Sequence, residues 1–163
     1  MPCPCCNSGD FDVIGSRERK VRKDTGQIER YIIRRLRCLT CRKIHHELPD
    51  FIIPYKRYAA GIIEEGIHPL EPLVLPVDES TLYRWRSWFN KLVEYWLAVC
   101  QSLLIQYTVM PPVNEMSSHS LPVHKRIGQW FGEGPGWLAK IVHPVANNHF
   151  WIHTRSACLS DSE

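Results

Sequence analysis

No apolar run in this sequence approaches the ~20 residues needed to cross a bilayer, so no segment reads as a transmembrane helix. The first residues, MPCPCC, have neither the basic start nor the apolar stretch of a secretory signal. The chain is therefore expected inside a cell, in the cytoplasm. Low-complexity tracts and internal repeats are missing as well, and with 44% hydrophobic and 23% charged residues the composition excludes a disordered chain. Neither sign of charge dominates, the net value being +3 over 163 residues. Carboxylates beyond the N-terminal third are scattered, and no His-x-His stands near a tyrosine. Two-metal phosphoryl transfer and a relaxase-type nucleophile thus lack their usual residues, and the chain reads as non-enzymatic. A pair one helical turn apart, His149 and His153, lies beside Phe150 and Trp151 and reads as packing, since a third ligand is missing.

Cysteine, by contrast, is plentiful and patterned. There are seven, an odd number, and a reducing compartment disfavours a disulfide framework. Two Cys-x-x-Cys pairs stand out: Cys3 with Cys6, and Cys38 with Cys41. Ligands three positions apart on a tight turn can share one ion, and two such turns complete a tetrahedral shell. Cys3, Cys6, Cys38 and Cys41 are therefore expected to hold one structural Zn²⁺, with no open position for water or substrate. Cys5 is an alternative to Cys3 or Cys6, and His45 and His46 lie close enough in sequence to join. Cys100 and Cys158 read as ordinary core or tail cysteines.

The segment between the cysteine pairs contains two β-prone stretches flanking Asp24-Thr25-Gly26, a natural turn. With a third strand over about 43–48, this predicts a three-stranded antiparallel sheet too small to hold itself together without a metal. The expected fold class is α+β, a four-cysteine zinc ribbon over 1–50 followed by a mainly helical, helix-turn-helix-like region over 51–110 and short helices with a tail over 111–163. A weak helix is expected over 59–67, and the prolines Pro69, Pro72 and Pro76 make the next stretch a connector. Leu82, Trp85, Phe89, Leu92, Trp96, Val99 and Leu103 then recur at steps of three and four, which predicts a long helix over about 79–107 capped by Asp78. A loop to about residue 121 and helices over 123–131 and 137–142 complete the reading, with a frayed tail after Arg155.

Charge is unevenly placed. Up to Tyr58, 13 Lys and Arg stand against 7 Asp and Glu, and beyond it 7 stand against 10. One predicted strand carries Arg17, Arg19, Lys20, Arg22 and Lys23; the next carries Arg30, Arg34, Arg35 and Arg37, followed by Arg42, Lys43, Lys56 and Arg57. Arginine's planar fork suits phosphate, so this density points to a polyanion. The start of the long helix adds Thr81, Tyr83, Arg84, Arg86 and Ser87 away from the apolar stripe, the placement a recognition helix uses.

The stretches CPCC, RRLRCLTC, HHELPDFIIPYKRY, ESTLYRWRSWF and HTRSACLS together resemble a domain family of unknown function common in mobile elements of Firmicutes. Its members look like zinc-ribbon and helix-turn-helix proteins, similar to the DNA-binding N-terminal parts of insertion-sequence transposases. The resemblance implies DNA as partner, a transposase or integrase as neighbour, ligands at Cys3, Cys6, Cys38 and Cys41, and a reading helix over 79–89. The resulting expectation is a non-catalytic DNA-binding accessory or regulatory factor for transposition or recombination, associated with the nucleoid when bound. A protein-interaction adaptor for a transposase or polymerase, gripping through Trp130, Phe131, Trp137, Phe150 and Trp151, is the alternative. A nuclease or transposase in its own right is the least favoured reading.

Overall fold

The computed structural model describes residues 2–69, 75–106, 121, 123–132, 134–152 and 157–160. Two long strands, β1 (Phe11–Arg22) and β2 (Ile28–Cys38), form the predicted hairpin. Its turn closes with hydrogen bonds from Lys23 N to Gln27 O (2.9 Å) and from Gly26 N to Lys23 O (2.9 Å), Gly26 taking the positive φ of 79° that the turn requires. The third strand, β3 (Ile44–Leu48), pairs antiparallel with β2, as expected.

The sheet does not stop at three strands. Ala157–Leu159 form β4, parallel to β3, in the order β1-β2-β3-β4. The tail expected to fray is thus held here. Cys158 and Leu159 are fully buried, and the Asn147 amide clamps Leu159 through both backbone groups, accepting from its N–H (2.9 Å) and donating to its carbonyl (3.1 Å). A side-chain amide reproduces a peptide group's donor and acceptor, so Asn147 continues the ladder where no strand is available.

Helix α1 (Ala60–Ile67) follows the ribbon, and α2 (Glu79–Gln106) is the long helix. Asp78 caps it, its carboxylate accepting from Thr81 N at 2.8 Å, and three hydrogen bonds hold its pKa down to about 2. Within the predicted stripe Trp85, Phe89, Trp96, Val99 and Leu103 are buried, joined by Val93, Leu97 and Cys100, so the apolar face is wider than a single seam. Where α1 meets α2, Gly66 lets the Trp85 and Leu82 side chains pack against the α1 backbone: a Cβ there would lie 2.7 Å from Trp85 Cε3. Helices α3 (Val123–Phe131) and α4 (Trp137–Asn147) complete the order, α4 running past the predicted end at Val142 and through Pro144. The expected loop before residue 121 and the position of His153 lie outside the described residues.

One apolar core joins the parts. Val21, Ile33, Leu48, Ile52 and Ile53 from the sheet side cluster with Trp85, Trp96, Ile141, Val145 and Leu159. Trp96 and Trp151 stack at 5.4 Å, and Trp88 meets Trp96 edge-on at 5.1 Å. Among the described residues no helix is long and apolar enough to cross a membrane.

Candidate functional site

The two cysteine loops have the same backbone design. The amide of Cys3 donates to Ser8 O (2.7 Å), and that of Cys38 donates to Lys43 O (3.0 Å). Four residues after each first cysteine the chain turns left-handed, at Asn7 (φ 59°) and Arg42 (φ 62°), whose amides donate back to Cys3 O (2.8 Å) and Cys38 O (2.9 Å). A further bond, from Leu39 N to Asp10 O (3.0 Å), ties one loop to the other. Each loop therefore folds its second sulfur towards its first.

The result brings all four predicted cysteines together, their sulfurs within 4.8 Å of one another. Cys3 Sγ lies 3.7 Å from Cys41 Sγ, and Cys6 Sγ lies 3.5 Å from Cys38 Sγ. Four sulfurs at ~2.3 Å from one ion would sit about 3.8 Å apart, so the geometry is compatible with a metal site. The backbone also sets the two thiols apart electronically. Amides of Cys41 and Thr40 directed at Cys38 bring its pKa down to about 6, whereas burial pushes Cys3 up to about 12. Cys3 therefore gives up its proton most readily when a cation compensates, so a metal bound here would be taken up with release of a proton.

A second set overlaps the first. Cys3, Cys5, Cys41 and His45 also lie within 4.8 Å of one another, the fully buried His45 placing Nε2 3.4 Å from Cys3 Sγ. His45 shares the outer sheet face with Leu36, and Phe11 meets its ring edge-on at 6.1 Å. These side chains form a small floor beneath the sulfurs. His46 points to the opposite face and does not join either set.

The predicted cations separate onto two faces, because opposite residues in a ladder share a face and neighbours along a strand alternate. On the outer face, Arg30 pairs with Glu18 (3.3 Å), and Arg34 grips Glu47 with two bonds of 2.6 and 2.9 Å. Lys20 is on that face too, while Arg22 stacks over Tyr58 (5.7 Å) and Lys23 lies over Phe51 (4.3 Å) with Glu29 beside it (3.7 Å). The inner face carries Arg17, Arg19, Arg35 and His46, continuing past the buried Val21 and Ile33; burial, then Arg17, Arg35 and Arg19, push the His46 pKa down. Arg37 lies further along that face, and Arg42 and Lys43 are exposed on the second cysteine loop.

Residues 54–57 run beside the outer edge of β1, held by bonds from Arg22 N to Arg57 O (2.8 Å) and from Arg19 Nη2 to Lys56 O (2.7 Å). Between them lies a cleft of about 690 Å³ whose lining includes Arg17, Arg19, His46, Tyr55, Lys56 and Arg57. Lys56 Nζ sits 3.7 Å from the centre of the Trp88 ring, and burial pulls its pKa to about 8, below the ordinary 10.5. The unfolded chain then holds more protons between these values, so stability should rise with pH over that window. Urea midpoints from pH 7.5 to 10 should climb more steeply for the wild type than for Lys56→Met; equal slopes would contradict the buried-lysine assignment.

Residues 3–85 match the family model for a domain of unknown function, DUF6431. The chain belongs to the DUF6431 family. No curated protein and no solved structure matches it. The matched stretch of this DUF6431 chain takes in both cysteine loops, strands β1 to β3, the cleft and the first turns of α2.

Those first turns are differently disposed from the sheet. Thr81 is engaged with Asp78, its Oγ1 donating at 3.1 Å, and Arg86 Nε donates to Gly66 O at 2.9 Å, tying α2 to α1. Ser87 is half-buried, while Tyr83, 74% exposed, and Arg84 face outward. Arg84 stands one turn before Trp88, on the side of α2 that carries Lys56. Sequence reasoning overlooked one polar residue of consequence, Glu64: it is buried, and its carboxylate accepts from Gly136 N (2.8 Å) and Leu138 N (3.0 Å). Nothing in its local pattern announces a partner more than seventy residues away.

Proposed function

We propose that this chain is a DNA-binding protein, its ribbon held by one structural zinc ion on Cys3, Cys6, Cys38 and Cys41, that serves transposition or recombination without itself performing the chemistry. The zinc assignment is supported by thiolate chemistry and by the matched loops, each of which contributes one Cys-x-x-Cys pair. The mobile-element setting rests on the sequence resemblance.

The observation that carries the DNA reading is the division of the cations. Arg17, Arg35, Arg37, Arg42, Lys43 and Arg57 have no ion pair among the described residues, whereas the carboxylates Glu18, Glu29 and Glu47 are taken up by Lys23, Arg30 and Arg34. Arg17 and Arg57 line the cleft and Arg35 lies opposite His46 at its side, while Arg37, Arg42 and Lys43 extend the basic surface towards the cysteine loops, a concentration of positive potential that suits phosphates. On this reading α2 contributes Tyr83 and Arg84 in a variant helix-turn-helix arrangement. Arg86 acts indirectly by fixing α2 to α1, and the carry-over of the whole 79–89 segment narrows accordingly.

The adaptor reading has less to work with. Trp151 belongs to the core, Trp137 and Phe131 pack against it, and Phe150 is 42% exposed.

The test is fluorescence anisotropy on duplex DNA across a salt series. The triple variant Arg17→Gln, Arg35→Gln, Arg57→Gln should reduce the slope of log K against log salt by about 2.7, at ~0.9 per lost phosphate contact. The pair Arg30→Gln, Arg34→Gln, whose side chains already serve carboxylates, should change it by much less. Equal effects from the two variants, or an unchanged slope in the triple, would count decisively against this surface.

A further inference from the structure

The cleft beside β1 combines features that a flat phosphate-binding face does not need. Arg17, Arg19 and Arg57 line it, Lys56 lining it as well but with its Nζ turned to Trp88, and Arg19 is half-buried, with burial first and Arg17 second pushing its pKa down. Glu18 also lines the cleft, but its carboxylate is turned to Arg30 at 3.3 Å. Placing exposed Arg17 and Arg57 beside the half-buried Arg19 without a facing carboxylate is unfavourable, and an entering anion relieves it. The walls are fixed: Arg19 and Arg22 bond residues 56 and 57 to β1, and Lys56 N donates to Ile53 O at 3.0 Å.

At the mouth stands Tyr55. Its ring is 66% exposed, and its backbone is left-handed at φ 63°. That conformation costs a bulky residue of order 1 kcal/mol or more and gathers at functional positions. Tyr55 is near enough to Arg19 to act on it electrostatically, so ring and cations address the same space. A cationic cradle beside an exposed aromatic ring is the pairing by which proteins hold single-stranded nucleic acid, the phosphate on the cations and the base stacked on the ring. The volume of about 690 Å³ lies within the range of small-ligand pockets and leaves room for a nucleotide. A stacked duplex cannot offer a base in this way without opening.

Building on the DNA-binding reading, we propose that the cleft holds one unstacked nucleotide, its phosphate among Arg17, Arg19 and Arg57 and its base against Tyr55, so that the protein prefers DNA with a single-stranded or frayed segment to uninterrupted duplex.

The metal-loaded full chain is titrated with two probes, a blunt 20-base-pair duplex and the same duplex with a three-nucleotide overhang carrying 2-aminopurine. The overhang probe should bind about tenfold or more tightly than the blunt one, with a change in 2-aminopurine fluorescence. Tyr55→Asn, which tolerates a positive φ, should remove the preference and the fluorescence change while leaving the salt slope in place; Tyr55→Phe should retain both. Salt-dependent binding that is equal for the two probes, or a preference that survives in Tyr55→Asn, overturns the cleft assignment and leaves the DNA reading standing. Failure of the folded chain to bind either probe overturns both.

Discussion

Removing the proposed zinc ion, by chelation or by Cys38→Ser, is expected to unfold the cysteine end of the sheet and to lower Tm by about 10 °C or more, given ~2–4 °C per kcal/mol in a chain of this size. The reason is the poverty of that end. Its floor is Phe11, Leu36 and His45, against a main core that begins only at Val21, Ile33 and Leu48 on the opposite face. Zinc binding in small modules contributes about 10–16 kcal/mol, comparable to the entire stability of an ordinary domain at about 5–15 kcal/mol. The helical core keeps its own burial, so α2 and α4 should retain helical circular dichroism while the strand signal falls. Two further variants decide between the overlapping ligand sets. Cys5→Ser should retain one zinc per chain by elemental analysis, and Cys6→Ser should lose it. The reverse pattern would place the ion on Cys3, Cys5, Cys41 and His45, and full zinc retention in Cys38→Ser would sink the four-cysteine shell.

The features legible in the sequence are those whose determinants are local or periodic. Asp24-Thr25-Gly26 carries its turn chemistry within three residues, and the stripe from Leu82 to Leu103 declares α2 through spacing alone. The cysteine quartet was readable because two short loops repeat one motif and the hairpin between them returns the chain to its start. Features depending on distant partners were not. Ala157–Leu159 is too short to announce a strand, and it exists because β3 offers a free edge and Asn147 holds Leu159. The basic residues were visible as a composition, but their sorting was not. Strand alternation, with a bulge between Val13 and Gly15, sends Arg30 and Arg34 to glutamates on one face and Arg17, Arg19 and Arg35 to the other. Lys56 became part of the cleft only because residues 54–57 dock against β1, and that docking follows from tertiary packing.

Replacing Glu64 with alanine should destabilise the protein by about 3–5 kcal/mol, because a buried amide donor and a part-buried one would lose their acceptor at about 1–3 kcal/mol each and a cavity would remain. Glu64 is 3% exposed and caps α4 from another helix, its two oxygens receiving the amides of Gly136 and Leu138. Gly136, the residue at the cap position, has no side chain to do so, and the positive end of the helix dipole adds to the attraction. Glu64→Gln keeps one acceptor but turns an NH₂ group towards an N–H, so about half the loss is expected. The two substitutions also differ from wild type in their response to pH. Burial raises the Glu64 pKa above the ordinary 4.5 despite the opposing pull of the two amides. The folded state therefore holds more protons than the unfolded state above pH 4.5, and this group makes stability fall as pH rises through the window, levelling off once the folded carboxyl has ionised. Urea unfolding of the metal-loaded protein over pH 5 to 8 should show that downward component in the wild type and not in Glu64→Gln. A Glu64→Ala loss below about 1 kcal/mol, the size expected of an exposed cap, would mean that the carboxylate does not hold α4 in place.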